Sequence, residues 1–249
     1  YVQLVQAWAY VDFGFAFLFT LAARRLADPA ASPAFLGALC GLCAGTKATG
    51  VFAPVLAGAA LARRGAAPVP FALGFLVLAA PWGARNWLVA GNPFAPFLSG
   101  WLTTLWWGPG NQVRYGEELR SYARVPGLAG LLAAPWNGAV RNAGVLDRGG
   151  GMGGWFLFAL PLLTVAGGAA AALPGRAALA FFAFWLLIPR QVRYLLPAWP
   201  AASLAAALVV RDLARRGGPG TFVAGALGAV LALHLAGAIE RQREAQDPV

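Results

Sequence analysis

The sequence predicts an all-α fold, a polytopic transmembrane bundle of about eight helices with a long loop on its outer face. Three observations predict this class. Of the 249 residues, 59% are hydrophobic and only 11% are charged, against roughly 25% charged in a soluble domain. The chain holds 32 Gly and 18 Pro, which membrane helices tolerate. Its apolar runs end at charged residues or at Pro and Gly, which predicts a single transmembrane domain over residues 1–249.

The apolar runs predict the individual helices. These lie near residues 8–26, 34–46, 49–62, 68–89, 153–173, 176–189, 194–211 and 220–239. The second and third runs are too short to cross a hydrocarbon layer of about 30 Å alone. They form one broken helix, a re-entrant pair, or two helices extended through their polar links, and the sequence leaves these alternatives open. The first residues contain no Met, basic segment or cleavage site, so we expect no signal peptide and a fragment that lacks its N-terminal part.

Basic residues in short loops predict the orientation of the bundle. If all the helices cross, the more basic side is cytoplasmic, with Arg24, Arg25, Arg63, Arg64, Arg176, Arg211, Arg215 and Arg216. The other side then holds Lys47, Arg85, Arg190, Arg193, Arg241 and Arg243. Residues 90–152 become an extracytoplasmic loop, in which the segment Val125–Ala143 predicts short interfacial helices.

The formal charge of +10 raises the question of nucleic acid or anionic lipid. The arginines stand as doublets at the ends of apolar runs, and no basic stripe with interleaved aromatics forms a groove, so nucleic-acid binding is excluded. Cys40 and Cys43 form a CxxC, but no second cysteine pair completes a zinc site. We predict that both are small packing residues and that the chain holds no metal site of this kind.

Two ionisable groups at the ends of predicted helices are candidates for function, because such groups are costly inside a bilayer. Asp12 heads the first helix, where an interfacial helix cap is the alternative. Lys47, the only lysine, stands between two apolar runs, and its compact ammonium suits a phosphate, with snorkelling as the alternative. Before it, Gly37, Gly41 and Gly45 are spaced by four residues, which predicts the close approach of a neighbouring helix.

Two later segments add polar groups to the same predicted side. The segment from Pro81 to Phe94 reads PWGARNWLVAGNPF and brings Arg85, Asn86 and Asn92, with an aromatic belt at the membrane interface as the alternative. In Arg190-Gln191-Val192-Arg193-Tyr194, the two arginines are three apart and would share one helix face. Paired guanidinium groups offer forked donors to phosphate oxygens.

The order of these features resembles one family. The chain is similar to the bacterial polyprenyl-phosphate-dependent glycosyltransferases of the GT-C superfamily. Four features carry this likeness, in chain order: an acid at a helix head, a Gly-rich helix ending in Thr-Lys, the motif PW..RN...GNPF and the motif R.VRYLLP. That group contains lipid A aminoarabinose transferases and protein O-mannosyltransferases. The resemblance covers most of residues 8–200, is loose in the long loop and is absent from the last helix.

The resemblance implies an enzyme of the bacterial inner membrane, with its active face outside the cytoplasm. Such an enzyme moves a sugar from a polyprenyl-phosphate donor to a lipid, glycan or protein acceptor. The resemblance places Lys47, Arg190 and Arg193 on the donor phosphate and Asp12 as a catalytic residue, with Arg85, Asn86, Asn92 and Tyr194 in support. The main catalytic acid of the family lies in an outer loop before the matching segment, and that loop is not in this chain.

Two other function classes compete with this interpretation. A transporter or flippase for an anionic lipid or small molecule would use the same cations without chemistry. A non-catalytic membrane scaffold would need none of them. The sequence does not identify the sugar or the acceptor. It also does not determine the oligomeric state or whether a divalent metal is required.

Overall fold

The computed structural model describes residues 10–95, 97–99, 101–121, 127–136, 169–188, 192–226, 228–229 and 232. Within them the chain is helical and has no strand, which confirms the all-α class. The helices are α1 (Tyr10–Ala27), α2 (Pro33–Thr46), α3 (Phe52–Arg63), α4 (Pro68–Ala90), α5 (Pro109–Ser121), α6 (Gly127–Trp136), α7 (Ala169–Leu187) and α8 (Ala198–Arg215). Short 3-10 helices occupy Ala48–Val51 and Val192–Leu195, and residues 219–226 are helical.

The chain divides into two compact units. Residues 14–124 form one, here called the first unit, and residues 1–13 with 125–249 form the other, the second unit. The division falls inside α1, after Phe13. Each unit is therefore described by itself.

In the first unit, glycines bring α2 and α4 into backbone contact. A side chain at Gly37 would meet the Phe71 carbonyl, and one at Gly74 would meet the Ala34 carbonyl. A Cβ at Gly41 would lie 2.5 Å from the carbonyl oxygen of Phe75. Because the contacts advance along both helices in the same direction, α2 and α4 run parallel. The predicted close approach at Gly37 and Gly41 is confirmed, since only a residue without Cβ fits there.

The two short apolar runs form a helical hairpin. Leu36, near the start of α2, and Leu61, near the end of α3, line the same cavity, so the chain reverses between them. The reversal lies at Ala48–Val51, where a Cβ on Gly50 would collide with the Cys43 carbonyl. Of the three alternatives left open by the sequence, the structure excludes the single broken helix, because the two runs are separate helices that fold back on each other. This geometry depends on Gly50, because any side chain would push the turn away from α2.

The core of the first unit comes from one face of each helix. In α1, Phe15 and Phe19 are buried and Phe17 on the opposite face is 67% exposed. The ring of Phe19 lies 6.3 Å from that of Phe52, which ties α1 to the start of α3. The free cysteines Cys40 and Cys43 are both buried in α2.

In the second unit, α7 and α8 form an antiparallel pair. The last turn of α7 brings Trp185 against Leu195 in the connection, while Ala178, two turns earlier, packs against Ala201 and Ala202 of α8. Alanines make this close contact possible because α8 presents them at helical spacing. Those buried in α8 are Ala198, Ala201, Ala202, Ala205 and Ala206.

The structure differs from the predicted boundaries in this unit. The predicted end of one helix at 173 and start of the next at 176 lie within the continuous α7, which runs through Pro174 and Arg176. A helix that continues through a proline keeps most of its backbone hydrogen bonds. In apolar surroundings this is favoured over ending the helix, because a helix end leaves backbone polar groups without partners. The remainder of the predicted 153–173 helix, and the glycine run 149–154, lie outside the described residues.

One described helix, α4, is long and apolar enough to cross a membrane by length and composition. The apolar helices over Pro33–Thr46, Ala48–Arg63 and Pro174–Leu187 are shorter.

Candidate functional site

Lys47 lies at the break between α2 and the 3-10 turn. Its backbone is extended, with φ −155° and ψ 146°, and its amide still donates to the Cys43 carbonyl at 3.3 Å. Its own carbonyl accepts from the Gly50 amide at 2.7 Å, which closes the turn. The side chain is partly exposed. The only lysine thus stands where one helix ends and the next begins, rather than on the surface of a continuous helix.

A buried hydroxyl group lies two residues further on. The Thr49 Oγ1 atom is inaccessible to solvent and has no hydrogen-bond partner among the described residues. Leaving a buried polar group unpaired costs about 1–3 kcal/mol, so such groups point to strain or to a missing partner. Thr49 also stands in the first turn of the helical run Ala48–Arg63, where the backbone dipoles favour an anion. The ammonium, the hydroxyl and the helix start therefore all suit a negatively charged group.

Arg85 lies at the same end of the first unit as Lys47. A Cβ on Gly45 would lie 3.9 Å from Trp82 Cβ, which puts this part of α4 beside the end of α2. One turn beyond, the Arg85 guanidinium lies 5.5 Å from the centre of the Trp82 ring. Its Nη1 donates to Asn86 Oδ1 at 3.5 Å, and the side chain is exposed. The structure thus brings the Lys47 and Arg85 segments to one end.

Asn92 shapes the loop that follows α4. The side chain is fully buried, its Oδ1 accepts from the Phe94 amide at 2.9 Å, and its Nδ2 donates to the Phe97 carbonyl at 2.8 Å and to Thr104 Oγ1 at 2.9 Å. The buried Asn86 also donates to this loop, at the Pro93 carbonyl 3.5 Å away. Both amides therefore fix the loop that follows α4.

Replacing Asn92 by alanine is expected to open this loop. Three groups lose their partner at once, and each hydrogen bond contributes about 0.5–1.5 kcal/mol. Hydrogen exchange should show faster exchange at the Phe94 amide and at the Leu105 amide, which donates to the Ala90 carbonyl at 2.7 Å. The control is Asn111→Ala, which removes one exposed bond of 3.4 Å. Equal exchange in both variants would contradict this role.

The remaining predicted site residues belong to the second unit. Asp12 is in the first turn of α1 and is 3% exposed. Arg193 and Tyr194 lie in the 3-10 turn Val192–Leu195, and Tyr194 packs against the cluster around Trp185. Arg190 lies outside the described residues, so the predicted shared helix face of the two arginines stays a prediction.

Thr49 is not among the site residues predicted from the sequence. Its segment reads Thr46-Lys47-Ala48-Thr49-Gly50, and a hydroxyl beside a lone lysine was the available signal. The Thr49 hydroxyl is buried because the chain turns back at Ala48–Val51. No pattern of neighbouring residues in the sequence predicts this burial. Among the described residues, no group of three or more His, Cys, Asp or Glu is placed to hold a metal ion.

In comparisons with known proteins, no family model, no curated protein and no solved structure matches this chain.

Proposed function

We propose that this chain is a polytopic protein of the bacterial inner membrane that acts as a glycosyltransferase. It would take a sugar from a polyprenyl-phosphate donor and transfer it to a lipid, glycan or protein acceptor on the outer face. The observation that carries the proposal is the turn at Lys47, where a cation, a buried hydroxyl and a helix start suit a phosphate. This turn lies short of the end of the exposed apolar helix α4. The motif order described above supplies the reaction class.

The surface of α4 supports the membrane placement. Only Asn86 is buried in this helix of 23 residues. Large apolar side chains are exposed along it, at Val69, Leu73, Leu76, Val77, Trp82, Trp87, Leu88 and Val89. Water-soluble proteins rarely expose apolar patches of more than a few hundred Å². A lipid environment accounts for this surface without a protein partner.

The depth of Lys47 supports a role for its charge. A helix rises about 1.5 Å per residue, so α2 is about 21 Å long and α4 about 35 Å. Because both helices start at the same end and run parallel, Lys47 lies roughly 10 Å short of the far end of α4. A cation recessed in a layer of about 30 Å is expensive unless an anion or water meets it.

Basic residues mark the opposite end of the first unit. Arg24 and Arg25 end α1, and Arg63 and Arg64 lie at the end of α3, all at the end where α2 begins. In the second unit, Arg211, Arg215 and Arg216 lie at the end of α8 away from the 3-10 turn that contains Arg193. Under the rule that cytoplasmic loops are the more basic, these arginine-rich ends face the cytoplasm.

Cysteine labelling tests this orientation. Single cysteines next to Gly65 and Gly217, two glycines whose positive φ disfavours a side chain, are introduced with Cys40 and Cys43 replaced by alanine. They should resist an impermeant maleimide added to intact cells. A cysteine near Gly110, in the first turn of α5, should react. Labelling of all three after permeabilisation is the control for accessibility. The reverse pattern would contradict the orientation and, with it, the outer active face.

The proposed reaction needs a base and a set of cations. The acceptor oxygen attacks the anomeric carbon, the bond from that carbon to the phosphate oxygen breaks, and the phosphate leaves with the electron pair. The acceptor proton goes to a carboxylate. Lys47, Arg190 and Arg193 would stabilise the charge on the leaving phosphate, which departs without a general acid. Asp12 would act on the acceptor side, and the Thr49 hydroxyl would donate a hydrogen bond to a phosphate oxygen.

A transfer assay tests the function. The full-length protein is reconstituted in vesicles with a panel of polyprenyl-phosphate sugars carrying labelled sugar, and transfer to added lipid acceptors is measured. Transfer by the wild type supports the proposal. Asp12→Asn should then lower turnover more than donor affinity. Movement of the intact donor between leaflets, without release of polyprenyl phosphate, would favour the transporter or flippase instead.

A further inference from the structure

A cavity of about 370 Å³ lies at the arginine-rich end of the first unit. It is enclosed by the end of α1, the start of α2 and the end of α3. Its floor is apolar and comes from Leu26, Leu36 and Leu61, which are each less than 10% exposed. Its rim is polar. The cavity is on the opposite end of the hairpin from Lys47, so it belongs to a different site.

Two arginines on separate helices line this cavity, Arg25 from α1 and Arg64 after α3. The Arg25 guanidinium lies 5.4 Å from the centre of the Phe35 ring, which holds it over the first turn of α2. Both side chains are exposed at the rim. Their planar groups can each donate two hydrogen bonds to one phosphate.

The surrounding charges favour an anion. Residues 24–36 and 61–66 contain four arginines and one aspartate, which gives this end a net charge of +3. The aspartate is Asp28, whose Oδ1 accepts from the Ala30 amide at 2.9 Å and so shapes the link between α1 and α2. It also lines the cavity and partly offsets the two arginines. Removing its charge should therefore strengthen anion binding.

We propose that this cavity binds the phosphodiester headgroup of an anionic phospholipid from the cytoplasmic leaflet. The guanidinium groups of Arg25 and Arg64 hold the phosphate, and the leucine floor takes the adjoining glycerol and the first acyl carbons. Basic pockets between helix ends on the cytoplasmic side bind headgroups of this class. The inference rests on the membrane placement proposed above and is independent of sugar transfer.

Native mass spectrometry of the full chain in detergent tests the proposal with dioleoyl phosphatidylglycerol and dioleoyl phosphatidylcholine. The wild type should retain phosphatidylglycerol in preference to phosphatidylcholine. The double variant Arg25→Gln/Arg64→Gln should bind phosphatidylglycerol roughly 10- to 30-fold more weakly, since each basic residue contributes about 1 kcal/mol. The matched control Arg24→Gln/Arg63→Gln removes the same charge from the same helix ends but not from the cavity, and should retain most of the affinity. Asp28→Asn, which keeps the acceptor for Ala30, should bind more tightly than the wild type.

Three outcomes would overturn the proposal. Equal weakening in both double variants would show general surface attraction, and no weakening in either would show that the cavity is not used. Competition by glycerol 3-phosphate or inorganic phosphate at the same concentration as the lipid would assign the cavity to a soluble anion. Extraction of the wild type from vesicles by sodium carbonate would instead refute the membrane placement. This measurement distinguishes failure of the proposed lipid site from failure of the proposed membrane placement.

Discussion

Replacing Lys47 by alanine is expected to lower donor affinity or turnover about 10- to 100-fold, because a hydrogen bond to a charged group contributes about 1.5–3 kcal/mol. Lys47 lies at the break after α2, two residues before Thr49, whose hydroxyl is buried. Expression and membrane insertion should stay at wild-type levels, since the side chain is partly exposed. The measurement is sugar transfer at several donor concentrations, which separates affinity from turnover.

A second variant of the same turn sharpens this test. Thr49→Val removes the unpaired hydroxyl while keeping the shape of the side chain. If the Thr49 hydroxyl donates a hydrogen bond to the phosphate of the sugar donor, the variant should bind this donor more weakly. Without bound donor the variant should unfold at a higher denaturant concentration than the wild type, because it lacks the unpaired buried hydroxyl. Arg63→Ala, at the opposite end of the hairpin, is the charge control. Wild-type transfer by the Lys47 and Thr49 variants would refute the phosphate site.

The arginine assigned to the same phosphate can be tested in the same assay. Arg193→Ala should lose transfer by a similar factor, since the lost interaction is of the same kind. Arg193→Lys should recover only part of it, because an ammonium keeps the charge and loses the planar fork. Full recovery with lysine would show that Arg193 acts by charge alone.

Replacing Gly74 by alanine is expected to destabilise the fold by about 1–3 kcal/mol through overpacking. The new methyl group would collide with the Ala34 carbonyl, and backbone atoms cannot move aside as a flexible side chain can. The helices α2 and α4 must then separate, which also shifts the end of α2 that carries Lys47. Equilibrium unfolding in mixed micelles of dodecyl maltoside and sodium dodecyl sulfate measures the loss.

The matched control is another Gly→Ala change in a helix of the same unit. At Gly58, in α3, the new methyl would lie 3.9 Å from the Phe71 ring, an ordinary contact. Alanine is favoured over glycine within a helix by about 0.5–1 kcal/mol, so this variant should be as stable as the wild type or more so. If the Gly74 and Gly58 variants unfolded alike, the close packing of α2 on α4 would be wrong.

Sequence patterns predicted α1 to α4 to within a few residues, but they did not predict α5. The predicted runs near 8–26, 34–46 and 68–89 correspond to α1, α2 and α4. Local signals suffice here because a run of apolar residues bounded by Pro, Gly or Arg defines a helix without its partners. In the second unit the prediction of a helix end near Pro174 was wrong, because α7 continues through this residue. A proline removes one backbone hydrogen bond, and the helix ends there only where the unpaired carbonyl can find another partner.

Sequence by itself determined the all-α class, the break at Lys47 and the glycine spacing that admits a neighbouring helix, because each depends on residues close together in the chain. Only the tertiary structure decided that α2 and α3 fold back as a hairpin, since three arrangements satisfy the same pattern. It also decided that α4 approaches along Gly37 and Gly74, that Asn92 is used within its loop, and that the Thr49 hydroxyl is buried. These features depend on which surfaces meet, and the pairing of helices is set by contacts between residues far apart in sequence.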